Sequence, residues 1–431
     1  MGKRKYRAVQ VKDVLVSQLI ETLGSGRCVV AIDVAKEDFF AAVMDESEKV
    51  LVTVKWTHPA QSPEFMSLVA GLAVGRTLDV VMEPSGVYGD ALRSRMCADG
   101  YRVFRVSPKR SHDMAEAYDG VPSWHDAKSA AIIGKMHLDG ASEPWPVASD
   151  HERRLSAALR VLEVHYKEVQ RNRNRIEGYL ARHWPEVTHI IDADSATLLE
   201  LLIEYGGPSA VAADADGARS LMRRVGGHFL AQSKIDGVVD SAVRSFGMEQ
   251  IDGEVEMVKA VAAECRRQQR ASNKARRRVE ELSLSEGASR HMAPVVGKTT
   301  AAVLTASVGE ATKYKTAAAY EKSMGLNLKE KSSGKHKGAL RITKRGPGVA
   351  RMFLYMAALR LIRSDTVVRA WYAKKVKRDG GKTKNKAVIA VMRKLTRALW
   401  HVARGAEFDS TRLFDVRRLN LQSTTVAEAL R

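Results

Sequence analysis

The sequence predicts an α/β domain followed by a mostly helical region, an α/β plus α chain. Residues 28–106 contain short β-branched runs, three in close succession and then others alternating with helical patterns. From Glu152 onward, apolar residues recur at helical spacing over much longer stretches. Hydrophobic residues make up 45% of the 431-residue chain, which is enough to form more than one buried core.

These patterns divide the chain into five segments. A basic leader (1–27) precedes the α/β domain (28–145), and a helical region follows it (146–290). A second, mostly helical domain (291–410) ends in a weakly patterned tail (411–431).

The α/β domain is predicted to open with an antiparallel meander of three strands, because its first β-branched runs are separated only by short polar turns. Two further buried strands then alternate with helices. The predicted strands are CVVAIDVA, FFAAVMD, VLVTVKW, LDVVMEPSG and YRVFRVSP. The predicted helices are VKDVLVSQLIETLG in the leader, QSPEFMSLVAGLAVG, VYGDALRSRMCADG and a stretch from about Asp126 to Leu138.

Two long helices are predicted in the helical region. The first starts near Glu152 and stops at Pro185, and the second runs from about Val238 to Leu284. Their apolar spacing favours an antiparallel, coiled-coil-like arm, and an ordinary helical bundle is the alternative. A shorter helix lies between them in SATLLELLIEYGGPSAVAA.

The last domain is predicted to consist of amphipathic helices around one glycine-rich basic stretch. APVVGKTTAAVLTASVG is typical of a turn and helix of the helix-hairpin-helix kind, whose backbone N–H groups can hold a phosphate. A plain helix that starts at a glycine is the alternative. The other predicted helices are KTAAAYEKSMGL, ARMFLYMAALRLIRS and KNKAVIAVMRKLTRALWHVARG.

The chain is strongly basic, with a net charge of +20. This charge predicts a polyanionic partner, nucleic acid in preference to a membrane surface or a ribosomal-type role. Three widely spaced cysteines, Cys28, Cys97 and Cys265, predict neither a zinc site nor disulfides and fit a reducing cytoplasm. We expect no signal peptide, no membrane span and no membrane partner.

Three carboxylates of the α/β domain stand where strands end or a helix begins. Asp33 lies in the first predicted strand, Glu83 follows the strand LDVVM, and Asp126 opens the last helix. Singly they could be a turn residue, a strand cap and a helix N-cap. Brought together at one end of a sheet they would repel one another and need a cation, most simply Mg²⁺.

Two adjacent serines, Ser332 and Ser333, open a dense cationic stretch, SSGKHKGALRITKRGPGVAR. Its cations are Lys335, His336, Lys337, Arg341, Lys344 and Arg345. Such a surface suits the binding of a phosphodiester backbone. The hydroxyls can either donate hydrogen bonds to a phosphate or attack it, and the residues alone leave both roles open.

Ordered motifs along most of residues 28–405 resemble a known family. The chain looks like the bridge-RNA-guided insertion-sequence transposases of the one-one-zero group, which join a DEDD domain to a catalytic-serine domain. The matching segments are AIDVAKEDFFAAVMD, MEPSGVYGDAL, VSPKRSHDMAEAYDGVPSWHDAKSAAIIGKMHL, LLIEYGGPSAVAA, VVGKTTAAVLTASVGEATKYKTAAAYEKSMGLNLKEKSSGKHKGALRITKRG and KNKAVIAVMRKLTRALW.

This resemblance implies a ribonuclease-H-like DEDD domain at 28–145, similar to Holliday-junction resolvases, and a catalytic-serine domain at 291–410. It also implies Mg²⁺ as cofactor, donor and target DNA as substrates, and a guide (bridge) RNA that pairs with both. A homo-oligomer, dimer or tetramer, joined through the helical arm would unite the two domains in one composite active site. The protein would then be bacterial, cytoplasmic and nucleoid-associated.

Carried over by position, the resemblance makes Asp33, Glu83 and Asp126 the first three metal-binding acids. It places Ser129 where the family has its fourth acid. It also makes Ser332, the first of the two serines, the expected nucleophile, with Ser333 as the alternative.

The helix at Asp126 can be aligned with the family in two registers. In the second register Asp126 is the fourth acid and Ser123 stands in the third place. The apolar Ile132 and Ile133 favour the first register. In either register one acid is replaced by serine, and Asp119 or a phosphate oxygen could complete the ligand set.

Two rival functions fit the same residues. One is a metal-dependent, Holliday-junction-type nuclease in which water attacks the phosphate and the serines only bind. The other is a non-catalytic protein that binds RNA or DNA.

Overall fold

The computed structural model describes residues 7–84, 86–119, 125–284, 287, 289–330, 338, 340–381 and 384–419, without the side chains of 115–119. The chain divides into two compact units, Met1–Val147 and Ala148–Arg431. Throughout the described part of the chain, no helix is both long and apolar enough to cross a membrane.

The first unit is built on a seven-stranded mixed sheet. Its strands are β1 Val9–Gln10, β2 Cys28–Asp33, β3 Asp38–Asp45, β4 Val50–Thr57, β5 Leu78–Met82, β6 Arg102–Arg105 and β7 Glu143–Pro144. Their order across the sheet is β1-β4-β3-β2-β5-β6-β7. Strands β2, β3 and β4 form the predicted antiparallel meander, and β5 and β6 add to β2 in parallel.

Helices cover both faces of this sheet. They are α1 Val16–Leu23, α2 Ser62–Ala73, α3 Asp90–Ala98, α4 Pro108–Asp119 and α5 Asp126–Leu138. Successive residues of β2 face opposite sides, so Val30 and Ile32 join the core that includes α2, while Val29 and Ala31 pack with α5. Because both faces are covered, β2 is apolar on both sides, as a central strand between helical layers requires.

The segment predicted as a basic leader also packs with this unit. Val9 and Gln10 pair in parallel with β4, and Val11 and Leu23 are buried in the sheet core. Helix α1 is therefore shorter than predicted, because the residues before it form an edge strand and a single 3₁₀ turn, Val11–Asp13. The sequence pattern missed α4, whose residues are mostly polar, and β7, which has two residues.

The second unit is mostly helical. Its helices are α6 Asp150–His183, α7 Ala196–Tyr205, α8 Pro208–Ala213, α9 Ala215–Gly226, α10 Gln232–Val243, α11 Asp252–Leu284, α12 Ser289–Val296, α13 Lys298–Val308, α14 Ala317–Ser323, α15 Gly348–Ser364, α16 Thr366–Arg378 and α17 Lys384–Val402. A two-stranded antiparallel ladder, β8 Leu328–Lys329 with β9 Arg341–Ile342, interrupts them.

Helices α6 and α11 pack against each other along their length in antiparallel orientation. Leu155 near the start of α6 shares a core with Val279 near the end of α11. Farther along, His165 Nδ1 hydrogen-bonds Gln268 Oε1 at 2.7 Å. The predicted antiparallel pair is therefore present, but α7 and α13 also pack on α11, so the pair is part of a larger helical assembly.

The prediction of one continuous long helix from about Val238 to Leu284 is wrong in its first part. The chain leaves the helix after Val243 and resumes it at Asp252. Between them the backbone N–H of Met248 donates to the carbonyl of Arg182, outside any helical ladder. This long-range contact has no counterpart in the local periodicity, so the sequence pattern could not show the break.

The last helices surround one core around α15 and α17, as predicted for this region. Helices α12 and α13 meet at Gly297, which has a φ of +84°, so a turn and helix do form here. The sequence interpretation missed α16. Part of the predicted tail is also ordered, because Phe414 is buried in this core against Trp371.

Candidate active site

Two of the three predicted carboxylates leave neighbouring strands at the same edge of the sheet. Ile32 of β2 pairs in parallel register with Met82 of β5. Asp33 is the last residue of β2, and Glu83 directly follows β5. Parallel strands end on the same side, so the register alone sets these two acids next to each other.

Helix α5 brings the third acid and its serine to Asp33. Asp126 is the first residue of α5, and His125, rather than Asp126, is the N-cap. Ser129, one turn into the helix, lies near enough to the Asp33 carboxyl to lower its pKa, and its hydroxyl donates to the carbonyl oxygen of His125 at 3.4 Å. Ser129 is buried, so its position in the helix faces the sheet edge that carries the acids.

The electrostatics of Asp33 show how closely these groups act on one another. Burial, with the charges of Glu83 and Asp126 acting in the same direction, raises the pKa of Asp33 to about 7. Hydrogen bonds from the backbone of Val34 and from Ser129 oppose this rise. A buried carboxyl with two like-charged neighbours is therefore an environment that favours an added cation.

A residue that the sequence did not single out holds Glu83. Ser111 of α4 donates a hydrogen bond from Oγ to Glu83 Oε2 at 2.5 Å, and its Oγ also lies 3.0 Å from the carbonyl of Pro108. Ser111 is buried. A serine in a polar helix has no pattern that would mark it as a site residue, and only the packing of α4 shows its role.

The donor set fits Mg²⁺ in chemistry, since it consists of carboxylate and hydroxyl oxygens. Among the residues that the structure describes, no three His, Cys, Asp or Glu side chains are gathered closely enough to hold a metal ion. Of the other candidates in the alignment, Ser123 and the side chain of Asp119 lie outside the described residues.

The predicted nucleophiles Ser332 and Ser333 also lie outside the described residues, together with Lys335, His336 and Lys337. They belong to the connection between β8 and β9, which we call the serine hairpin, residues 328–342. The other predicted cations, Arg341, Lys344 and Arg345, lie on or just after β9, and all three are exposed.

Two glycines allow two segments of the chain, one before and one after the serine hairpin, to cross closely at its base. A Cβ on Gly325 would lie 2.6 Å from the backbone nitrogen of Arg345. A Cβ on Gly346 would lie 2.4 Å from the carbonyl oxygen of Ser323. Lys344 adopts a φ of +56° at this crossing, where its N–H donates to the carbonyl of Gly325 at 2.9 Å. Such backbone strain persists only where the surrounding contacts enforce it.

Side chains strengthen the same crossing. Arg351 of α15 donates from one guanidinium nitrogen to the carbonyl oxygens of Met324 at 3.1 Å and Gly346 at 2.8 Å, one on each chain. Thr343 Oγ1 donates to Asn327 Oδ1 at 2.6 Å across the two chains. The points where the chain enters and leaves the serine hairpin are therefore held together.

Helix α14, which leads into the hairpin, is anchored to α17 by a buried carboxylate. Arg393 donates to Glu321 Oε1 at 2.6 Å, and Arg397 pairs with the other carboxylate oxygen. Glu321 is almost fully buried, whereas both arginines reach the surface. This pairing compensates the desolvated charge and fixes α14 relative to α17.

Comparison with known proteins gives matches in both halves of the chain. Residues 30–185 match the family model of the DEDD domain of IS110 type, described as a transposase. Residues 291–373 match the model described as "Transposase IS116/IS110/IS902 family". The chain is also 26% identical over 372 residues to the "Insertion element IS110 uncharacterized 43.6 kDa protein" of Streptomyces coelicolor, covering 82% of this chain and 89% of that protein.

Proposed function

Since the chain is a DNA transposase of the IS110 family that carries both transposase domains, we propose that it cuts and rejoins DNA through a covalent phosphoserine intermediate. The nucleophile is Ser332, with Ser333 as the alternative. The acids Asp33, Glu83 and Asp126, together with Ser129, form the metal-binding site of the same reaction.

One observation carries the metal half of this proposal. The Ile32–Met82 register sets Asp33 and Glu83 side by side, and α5 adds Asp126 and Ser129 to the same edge. A sheet with three antiparallel strands followed by two parallel ones, with acids at the ends of β2 and β5, supports a ribonuclease-H-like fold for this domain. The contact of Ser129 with Asp33 supports the register in which position 129 takes the place of the fourth acid.

Mg²⁺ is the cation we assign to these oxygens, where it would neutralise charge on the scissile phosphate. Asp33, Glu83 and Asp126 would hold it through their carboxylates. Ser111 orients Glu83 through a hydrogen bond to one carboxylate oxygen, and Ser129 lies near the Asp33 carboxyl, where it lowers the pKa of that group.

The serine step needs no outside energy source. The Oγ of Ser332 forms a bond to phosphorus while the bond from phosphorus to a deoxyribose oxygen breaks. The departing oxygen takes up a proton to become a hydroxyl, and the serine proton leaves to solvent or a base. Attack by the hydroxyl of another strand on the phosphoserine reverses these changes and joins the new strand. The Arg341, Lys344 and Arg345 cations stabilise the phosphate charge.

Sequence selection is assigned to a guide RNA that pairs with donor and target DNA. The net charge of +20 supports a protein that holds the backbones of RNA and DNA while base pairing reads the sequence. A homo-oligomer assembled through the helical region would bring together the copies needed for strand exchange.

The test is a denaturing gel of the protein with co-purified RNA, Mg²⁺ and labelled DNA. The expected result is a covalent protein–DNA adduct that disappears in Ser332→Ala, or in Ser333→Ala if the second serine attacks. Thr316→Ala, which removes a hydroxyl that caps α14, serves as a control and should keep the adduct. Cleavage that persists without any adduct in the double serine variant would overturn the proposal in favour of a water-using nuclease.

The Asp33→Asn variant distinguishes the proposed transposase from the remaining alternative, a non-catalytic protein that binds RNA or DNA. The proposal predicts that this change abolishes adduct formation while RNA and DNA binding persist. Unchanged DNA processing in Asp33→Asn would exclude a catalytic role for the carboxylate site.

A further inference from the structure

The loop between α10 and α11, residues 244–251, is clamped onto the end of α6. The N–H of Phe246 donates to Glu186 Oε1 at 2.7 Å, and the Ser245 hydroxyl donates to Glu186 Oε2 at 3.0 Å. The N–H of Met248 donates to the carbonyl of Arg182 at 2.8 Å. One carboxylate and one helix end thus hold successive parts of the loop backbone.

The loop also lies unusually close to α6. A Cβ on Gly247 would fall 2.0 Å from the carbonyl oxygen of His183, so only glycine fits at this point. His183 Nδ1 hydrogen-bonds the carbonyl of Met248 at 3.1 Å. The backbone of the loop is therefore well ordered by its contacts.

The apolar side chains of this ordered loop point to solvent. Phe246 is 94% exposed, Met248 60% and Ile251 69%. Val243 at the end of α10 and Met257 in the first turns of α11 are also exposed. A backbone fixed by this many contacts, carrying outward apolar side chains, is typical of a preorganised interaction surface.

The charges around this loop are the opposite of those of the chain as a whole. Between residues 234 and 259, six acidic residues accompany three basic residues, in a chain with a net charge of +20. Glu249, Asp252 and Glu256 are exposed beside the apolar side chains. An acidic rim repels phosphates, so this surface is unsuited to RNA or DNA.

We propose that loop 244–251 is a self-association surface that docks on a cationic surface of a second copy of this chain. This inference rests on the homo-oligomer of the proposed function and names the surface that forms it. The apolar side chains of the loop are buried in the contact, and the acidic rim pairs with lysines and arginines of the other copy.

Charge complementarity is the reason for choosing a second copy. Two chains of charge +20 repel each other wherever basic surfaces meet. An acidic rim around an apolar centre turns this repulsion into attraction at one place. A second copy of this chain carries such a cationic surface and is always present where the first copy is.

The test compares the mass of nuclease-treated full-length protein, by sedimentation velocity over a range of concentrations, with that of two variants. In the first variant Phe246, Met248 and Ile251 are all changed to serine. In the control variant, Phe229→Ser, a similarly exposed phenylalanine at the other end of α10 is changed. We expect the triple variant to self-associate about tenfold more weakly or worse and the control to behave like the parent protein.

A second variant tests the rim without touching the apolar side chains. Glu249→Lys with Asp252→Lys should weaken self-association by a similar factor and make it less sensitive to salt. Circular dichroism and thermal melting verify that both variants fold.

Three results would overturn the inference: a monomeric parent protein, unchanged self-association of a folded triple variant, or loss of nucleic-acid binding in that variant with its oligomer intact. None of these measurements depends on the serine chemistry. Failure of the proposed function would instead appear as a missing DNA adduct in an assembled parent protein.

Discussion

Arg351 donates a hydrogen bond to the carbonyl oxygen of Gly346, 2.8 Å away. The same guanidinium nitrogen also donates to the carbonyl oxygen of Met324, on the segment that precedes the serine hairpin. One guanidinium therefore joins the two segments of the chain that form the base of the serine hairpin. The hairpin carries the proposed nucleophile, so the stability of its base affects both folding and the proposed reaction.

Replacing Arg351 by alanine should loosen this base. Two carbonyl oxygens lose a charged donor, which predicts a loss of about 1–3 kcal/mol in the free energy of unfolding. Chemical denaturation measures this loss, and limited proteolysis should show faster cleavage between α14 and α15. Arg363→Ala on the same helix is the control, since the exposed Arg363 contributes its backbone carbonyl to Arg369. Equal stability of the two variants would contradict the assigned role.

Gly325→Ala should be more damaging than a glycine-to-alanine change at a position with open surroundings. Gly325 has a φ of +69°, and an added Cβ would lie 2.6 Å from the nitrogen of Arg345. Gly380 has a similar φ of +77°, but a Cβ added there would meet no atom within 4 Å. Alanine at Gly380 should cost about 1–2 kcal/mol from backbone strain alone. Alanine at Gly325 should cost more than alanine at Gly380. If the two variants had equal unfolding free energies, the close crossing at Gly325 would be contradicted.

Asp79 should make the stability of the first unit depend on acid pH. This carboxylate is fully buried and ion-paired with Arg27 and Arg102, and it also contacts His137. Burial tends to raise the pKa of Asp79, but hydrogen bonds from His137 and Arg27 and the charges of Arg27 and Arg102 outweigh it and hold the pKa below its usual value.

A lowered pKa means that the charged form stabilises the fold above the unfolded-state value of about 3.9. This contribution is lost as the pH falls through the folded-state pKa. Asp79→Asn should therefore lower the free energy of unfolding by about 2 kcal/mol at neutral pH, because it leaves two arginines without their carboxylate. The difference in unfolding free energy between Asp79→Asn and the parent protein should shrink as the pH falls below about 4. Asp99→Asn, in an exposed pair with Arg95, should change stability by less than about 1 kcal/mol at any pH.

Ser111→Ala should weaken cation binding at the carboxylate site without unfolding the protein. Removing the hydroxyl that orients Glu83 predicts a loss of about tenfold in affinity for Mg²⁺ or Mn²⁺. Isothermal titration calorimetry with the metal alone measures this, and Ser111→Thr should restore part of the affinity. Asp33→Asn should bind more weakly still. Ser67→Ala, whose exposed hydroxyl donates to the carbonyl of Pro63, should bind like the parent protein.

Several elements could be predicted from the sequence because their signals are local. The β-branched runs define the meander β2–β4, and helix α5 begins at Asp126 as its apolar spacing indicates. Helix α6 ends just before Pro185. Acids placed where these elements begin and end could thus be chosen as site candidates from the chain alone.

The contacts that complete the site depend on residues far apart in sequence. Ser111 meets Glu83 only because α4, which packs against α5, reaches the residue that follows β5, and Ser129 lies near Asp33 only because α5 packs on β2. The crossing at Gly325 and Gly346 joins segments on both sides of the serine hairpin. No local period encodes such contacts.

By itself, the sequence determined the types of element, the carboxylates at the strand ends, the cationic serine stretch and the polyanionic partner, because composition and periodicity carry these properties. Only the tertiary structure decided which hydroxyls orient the acids, how the base of the serine hairpin is held, and that the second long helix breaks at residues 244–251. The physical reason is the same in each case. Backbone register and side-chain packing between distant segments set these distances, and they exist only once the chain has folded.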